Sequence, residues 1–378
     1  MTYLDHNATS PLRPEAQAAV ARALSIGGNA SSVHAQGRAA RAMVEEAREV
    51  VAKLAGAKPS EVIFTGGGTE SNWLALNGAI QGAADAEARI TRLFVSSIEH
   101  DSVTANAVAL AERVPGLRME LIPVSADGVI DTRSLFEMLR EGKGRALVAA
   151  MAANNETGVI QPIGEIRRIS KEANALLFSD VVQAAGKIAL PDADYLTFSA
   201  HKLGAPQGIG ALIVKEGAPF APQILGGGQE KSRRAGTENV SGIAGFGAVA
   251  SLGLDNKRIA DLRDRFEREL KLAVSDVVIF GANAPRLANT SNFALPGIAA
   301  ETAVMALDLD GVMLSSGAAC SSGKVRPSAV LKAMGVPDEI AKCALRVSFG
   351  WNSADADVDA AIAAIARLVA RARSRRAA

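Results

Sequence analysis

Asp180 closes the run ALLFSD, and Lys202 ends YLTFSAHK, so an acid and an amine stand 22 residues apart at the ends of two apolar stretches. An Asp beside a ring nitrogen keeps a pyridine protonated, and a Lys forms an imine with an aldehyde. Those are the two groups that pyridoxal phosphate chemistry requires. Gln183, one turn past Asp180, is within reach of a phenolic oxygen on such a ring. For an arbitrary pair, a helix-capping Asp and a solvated loop Lys would explain the residues better, but their neighbours favour the chemical reading. GGGTESN at Gly66 to Asn72 follows VIFT and opens a helix, which converges unpaired backbone N–H groups and a helix dipole on one spot suited to an anion. Alone, such a cluster is as often only a tight turn. It matches neither GxGxxG nor GxxxxGK[ST], which argues against a nicotinamide dinucleotide or a nucleoside triphosphate. His201 beside Lys202 and the run GGGQEKSRRAGTEN at Gly226 to Asn239 add to the polar set.

Further candidates also close apolar runs. His100 ends LFVSSIEH, where an imidazole can stack on a planar cofactor and carry protons, or can be a lone structural histidine. Asn155 follows RALVAAM and is a polar group at the same sheet edge, although NNETG is also an ordinary turn. Cys320 lies in SSGAACSSGKVRPS, a segment with almost no large apolar side chain, and reads as an exposed thiol that Lys324 or Arg326 helps to ionise. Its thiolate is the strongest nucleophile the chain possesses. Cys343, in AKCALRVSF, reads instead as a small buried hydrophobe. Arg346 in the same segment is either a snorkelling edge residue or a clamp for a substrate carboxylate, for which the guanidinium fork is suited.

Groups this scattered need a fold that gathers strand ends. Apolar runs at Glu61–Thr65, Arg92–Ser96, Ala146–Ala150, Ala175–Ser179, Tyr195–Ser199 and Gly210–Val214 alternate with helical patterns at Val33–Ala55, Glu70–Gly78 and Ile163–Asn174. That alternation predicts βαβ units and a mainly parallel sheet, whose ligands bind beyond the carboxyl ends of the strands. A long charged helix around Leu252–Val274 predicts a domain boundary, with a second α/β segment after it.

The 378 residues are 48% hydrophobic and 21% charged, which suits a globular protein of two or three domains. With 41 Lys plus Arg against 40 Asp plus Glu, the net charge of +1 offers no footprint for nucleic acid or an anionic membrane. The first residues lack a basic n-region and an apolar h-region, and no apolar run approaches a membrane span, so the expectation is a cytoplasmic protein. Two Cys and 4 His make neither a disulfide framework nor a zinc cluster.

Taken together, YLDHNATS, SSVHAQGR, TGGGTESN, EHDSV, NNETGVIQPI, DVVQAAGK, SAHKLGAPQGIG, GGGQEKSRRAGTEN and SSGAACSSG, in this order over nearly the whole chain, resemble the NifS-like cysteine desulfurases of the class-V aminotransferase family. The resemblance implies a fold-type-I, pyridoxal-phosphate-dependent homodimer. It implies a large domain over residues 12–254 with a mainly parallel seven-stranded sheet, and a small α/β domain made of 1–11 plus 255–378. Lys202 would be the Schiff-base lysine and Asp180 the partner of the pyridinium. Gln183 would contact the ring oxygen, His100 would stack on the ring and Asn155 would lie beside it. Gly68, Thr69, Ser199 and His201 would hold the phosphate, joined by Thr237 from the other subunit. Asn29, Asn155 and Arg346 would serve the substrate carboxylate.

The implied reaction takes L-cysteine to L-alanine, with the freed Lys202 moving the Cα proton and the Cys320 thiolate accepting the sulfur as a persulfide. An acceptor protein such as an iron–sulfur scaffold would then receive it. No resident metal is implied, although Cys320 could briefly share a cluster with that scaffold. The chain departs from the usual pattern at Asn29-Ala30-Ser31-Ser32, where NPSS is common, and at Gly204-Ala205-Pro206-Gln207-Gly208, where GPKG is common. It also carries His6 where Asn is common and Ala235 where Gly often stands. The alternatives are an aminotransferase or selenocysteine lyase on the same fold, or a non-catalytic scaffold. A transaminase has no use for Cys320, and a scaffold would be expected to lose Lys202 or Cys320.

Overall fold

A computed structural model describes residues 1–83, 88–317 and 328–377; Cys320 lies outside the described residues. The chain opens with β1 (Thr2–Tyr3), α1 (Pro14–Ile26) and α2 (Ala35–Leu54). It then alternates through β2 (Val62–Thr65), α3 (Gly68–Gly82), β3 (Ile90–Ser96), α4 (Asp101–Arg113), β4 (Arg118–Ile122), α5 (Thr132–Arg140), β5 (Arg145–Ala149), α6 (Ile163–Glu172) and β6 (Leu176–Asp180). Strands β7 (Tyr195–Ser199) and β8 (Gly210–Val214) follow, and then α7 (Val240–Ala250) and α8 (Asn256–Ala273). The remainder comprises β9 (Val278–Ile279), β10 (Thr290–Ala294), α9 (Ala300–Leu309), β11 (Val312–Met313), β12 (Ser315–Ser316), α10 (Ala329–Ala333), α11 (Asp338–Ala341), β13 (Ala344–Ser348) and α12 (Asp355–Ala377).

Seven strands form one sheet in the order β2-β8-β7-β6-β5-β3-β4. All neighbours pair in parallel except β8, which runs against both β2 and β7. The carboxyl ends of β2, β3, β5, β6 and β7 therefore share one edge. Both faces of the sheet are covered, so its strands alternate between two apolar layers. Phe64 and Leu177 pack with α2 and α7 on one side, while Ile63 and Phe178 pack with α3 and α4 on the other. This is why the inner strands read as continuous apolar runs. The expected sheet is present, with two local differences. Strand β4 was not anticipated, because its sequence RMELI lies at the sheet edge and is largely exposed, so the apolar signal is missing. The charged helix starts at Asn256 rather than near Leu252, because Gly253 takes a positive φ of 62° and the Asp255 side chain caps the helix by accepting from the Arg258 amide.

A second, antiparallel sheet runs β12-β13-β10-β9. Its apolar core gathers Leu4 from the amino-terminal strip with Phe266 of α8, Phe293 of β10, Phe349 and Leu368 of α12. The Phe266 ring packs with its centroid 5.6 Å from Phe293 and 6.2 Å from Phe349. Truncating it leaves a void that these rings cannot fill. Phe266→Ala should therefore lower unfolding free energy by about 3–5 kcal/mol, read from urea denaturation of the purified protein. Among the described residues, no helix is long and apolar enough to cross a membrane.

Candidate active site

The shared strand edge opens on a cavity of about 440 Å³ whose lining includes Gly68, Thr69, His100, Asn155, Asp180, Gln183, Ser199, His201, Lys202 and Arg346. The fold thus brings together ten of the residues singled out from the sequence. Asn29 and Thr237 do not line it. Asn29 is exposed, and its side-chain oxygen accepts from the Ser31 amide at 2.8 Å, which ties it into the turn before α2. Within its own chain Thr237 lines a separate void with Thr65, Gly66 and Arg234. The loop bearing Thr237 is held to the sheet by Glu230, whose buried carboxylate accepts from Arg48 at 2.7 and 3.0 Å and from the Phe64 amide at 3.0 Å.

Lys202 sits just past β7, in a short 3-10 turn over Ala200–Leu203 that Gly204 ends in a left-handed conformation. Its Nζ donates to the carbonyls of Asn7 at 2.6 Å and Ala8 at 2.7 Å. Burial and the nearby Arg346 charge pull this amine down to about 8, against the pull of Asp5 and Asp180. About a tenth of it is then the free amine at pH 7. Capture of an aldehyde by the apoprotein should accelerate about tenfold per pH unit below 8 and level off above it. Stopped-flow absorbance over a pH series measures this.

Asp180 ends β6 with both oxygens engaged: Oδ1 accepts from the Val182 amide and Oδ2 from Asn72 Nδ2, each at 2.9 Å. Asn72 is itself fixed, since its Oδ1 accepts from Thr197 at 2.6 Å. Gln183 donates from Nε2 to the Asn7 carbonyl at 3.0 Å. His100 caps α4 through Nδ1, which accepts from the Ser102 amide at 3.1 Å, so a neutral ring carries its proton on Nε2. His201 contacts Thr9 Oγ1 through Nδ1 at 3.1 Å, and burial followed by the Lys202 charge lowers it to about 4. It is neutral at pH 7. Arg346, on β13, donates to Asp5 Oδ1 at 2.7 Å and to the Asn155 carbonyl at 3.0 Å, while its Nε is buried with no partner among the described residues.

The α3 N-terminus is built for close approach. No side chain caps it, and a Cβ at Gly68 would crowd Ser199 Cβ and Val182 Cγ2, both at 3.3 Å. A Cβ at Gly210 would come within 2.5 Å of the Phe198 carbonyl and 2.8 Å of Gly67, so only glycine lets this turn lie against β8. Uncapped amides, hydroxyls of Thr69 and Ser199 and the His201 ring offer donors to a phosphate. With an acid on one wall, an amine with a lowered pKa and an imidazole among the lining groups, the donor set fits pyridoxal phosphate. Residues whose types gave no warning complete the site. Asp5 and Asn7 come from the amino-terminal strip, and Asn72 orients Asp180. Glu99 is buried; burial first, then the Asp180 charge, pushes its carboxyl up to about 8 despite the Met151 amide it accepts.

Comparison with known proteins identifies the family. The profile of the aminotransferase class-V family matches residues 2–361. An IscS-like cysteine desulfurase of Mycobacterium tuberculosis is 40% identical over 386 residues, covering 99% of this chain and 97% of its own. A cysteine desulfurase of Cereibacter sphaeroides is 41% identical over 365 residues, covering 94% and 92%. Among solved structures, a NifS-like protein from Rickettsia africae superposes with a TM-score of 0.87 at 34% identity, covering 97% of this chain and 99% of the other.

Proposed function

This chain belongs to the aminotransferase class-V family, and from that premise we propose that it is a cysteine desulfurase, converting L-cysteine to L-alanine and carrying the sulfur on Cys320. The observation that carries the reading is the meeting of Lys202, Asp180, His100 and the uncapped α3 N-terminus in one cavity. Full-length relatives at about this identity bear the same activity in their names.

Lys202, Asp180, Gln183, His100, Gly68, Thr69, Ser199 and His201 would hold pyridoxal phosphate. When bound, it supplies an electron sink that stabilises negative charge on the substrate α-carbon. Asp180, locked by Asn72 and the Val182 amide, would pair its carboxylate with the ring nitrogen of the cofactor. Lys202 would anchor the aldehyde of the cofactor and would take the substrate Cα proton as general base; its lowered pKa keeps a free-amine population near neutral pH. Arg346 lines the cavity and would place its positive charge beside a substrate carboxylate, with Asp5 and Asn155 fixing the plane of the guanidinium. The Cys320 thiolate then attacks the substrate sulfur. A new S–S bond forms as the Cβ–S bond breaks, the bonding pair stays with the carbon skeleton, and protonation yields alanine. Sulfur leaves as a persulfide on Cys320.

On this reading the protein acts in the cytoplasm as a homodimer, in which Thr237 reaches the partner's phosphate site. Its two domains would comprise 12–254 and 1–11 plus 255–378, and the division is supported by the separate apolar core that joins Leu4 to residues of α8 and α12. The sulfur acceptor would be an iron–sulfur scaffold protein. The test is to load purified protein with pyridoxal phosphate, supply a panel of amino acids and quantify products. Alanine from L-cysteine alone supports the reading. Transfer of the amino group to a keto acid, with 3-mercaptopyruvate left behind from L-cysteine, would favour an aminotransferase.

A further inference from the structure

Lys187 has no part in the chemistry above, yet its side chain is buried at 9% exposure, four residues after Gln183 in DVVQAAGK. Its Nζ donates to Gln183 Oε1 at 3.1 Å and stands 3.5 Å from Asn7 Oδ1. Both acceptors belong to residues that arrange the cavity. The Asn7 carbonyl receives Lys202 Nζ at 2.6 Å and Gln183 Nε2 at 3.0 Å. Asn7 is pinned further by Asn289, which donates to its Oδ1 at 2.9 Å, and by Thr290 Oγ1, which accepts from its Nδ2 at 2.9 Å.

We propose that Lys187 is a positioning residue: by engaging the Gln183 oxygen and Asn7, it keeps the N–H edge of the Gln183 amide available to the cavity and steadies the carbonyl that orients Lys202. A primary amide has two nearly isosteric ends, and only its partners decide which end faces which way. With Oε1 held by Lys187 and one Nε2 proton held by the Asn7 carbonyl, the second Nε2 proton is the group left for a ligand oxygen. Without Lys187 the amide is free to turn and offer an acceptor instead. A buried amine is costly where an apolar residue would fit, so its presence at this position calls for a task.

The charged groups facing Lys187 are Lys202 and Arg346 on the cavity side. On the other side, His6 and Arg13 line with it a void of about 20 Å³. Burial, then Lys202 and Arg346, lower the Lys187 amine to about 7. Burial, then Lys187 and Arg13, lower His6 to about 4, so His6 is neutral when Lys187 titrates. Asp5 and Asp180 face Lys202 across the cavity.

The inference rests on the reading that this cavity takes pyridoxal phosphate. Wild type, Lys187→Met, Gln183→Leu and the double variant would be loaded with pyridoxal phosphate, and the colour of the bound cofactor followed against pH. Lys187→Met removes a positive charge and a donor-setting contact, and both losses favour the protonated form. The midpoint should rise by about one unit and cofactor affinity should fall about tenfold. In the Gln183→Leu background the part of that shift carried by the amide should vanish, leaving the smaller part that comes from the lost charge. An unchanged midpoint, or an equal shift in both backgrounds, would overturn the proposal.

A second readout needs no cofactor. Acetic anhydride labelling of the apoprotein, read by peptide mass spectrometry, should show the Lys202 midpoint moved upward by Lys187→Met; an unmoved midpoint counts against the proposal. Should Lys187→Met fail to fold, Gln183→Leu alone should raise Lys187 labelling through loss of its acceptor, and unchanged labelling would be contrary. If wild type binds no cofactor, the reading of the cavity fails, and the apoprotein labelling still judges Lys187.

Discussion

Lys202→Ala is expected to reduce turnover of L-cysteine by about four orders of magnitude, because it removes both the anchoring amine and the base that moves the Cα proton. The geometry makes this residue hard to replace. Its Nζ is directed by two main-chain carbonyls, Asn7 at 2.6 Å and Ala8 at 2.7 Å, so its position is set by backbone that side-chain substitution cannot erase. A lysine at another position would lack that support. The variant should still fold, since deleting this side chain leaves both apolar layers of the large sheet intact. Borohydride reduction followed by peptide mapping should find pyridoxal phosphate covalently fixed at Lys202 in wild type and nowhere in the variant. Residual turnover within tenfold of wild type would remove Lys202 from the mechanism.

The second large effect is expected at Cys320. Cys320→Ala should lower sulfide release from L-cysteine in the presence of a reductant by about a thousandfold, while cofactor binding stays as in wild type. The chain has two cysteines, and the other, Cys343, is buried with Val330, Leu331 and Met334 in an apolar cluster. Its thiol donates to the Glu339 carbonyl at 3.3 Å. Cys343→Ala should therefore leave turnover within about twofold of wild type, as expected for a small buried side chain with no access to substrate. Equal activity in Cys320→Ala and wild type would point to a lyase that eliminates sulfur without a protein thiol.

Much of this site could be read from the chain because parallel strands announce their carboxyl ends. Asp180, His100 and Lys202 each stand where an apolar run stops, and a run buried on both faces is the clearest strand signal a sequence has. The glycine cradle was legible for a related reason, since backbone approach requires missing side chains, as Gly68 and Gly210 show. What escaped reading acts through main chain or through a second residue. Asn7 reaches Lys202 and Gln183 by its carbonyl, which carries no residue-type signal, and its side-chain partners appear only in the packed fold. Asn72 matters only because Asp180 lies 2.9 Å away, a proximity created by packing α3 against β6 and β7. Lys187 resembles any lysine in a helical turn until burial is known. Strand β4 was missed because an exposed edge carries no apolar pattern. Asn29 was expected near the substrate by resemblance, yet within its own chain it is held in a local turn by the Ser31 amide.

The central claim is that sulfur from L-cysteine passes through Cys320. The direct measurement is intact-protein and peptide mass spectrometry after a single addition of L-cysteine to the pyridoxal-phosphate-loaded protein without reductant, with alanine counted in the same sample. The expected result is a gain of one sulfur atom on the peptide bearing Cys320, one alanine formed per sulfur bound, and removal of the added sulfur by a thiol reductant. Alanine formed in full while the Cys320 peptide keeps its original mass would contradict it.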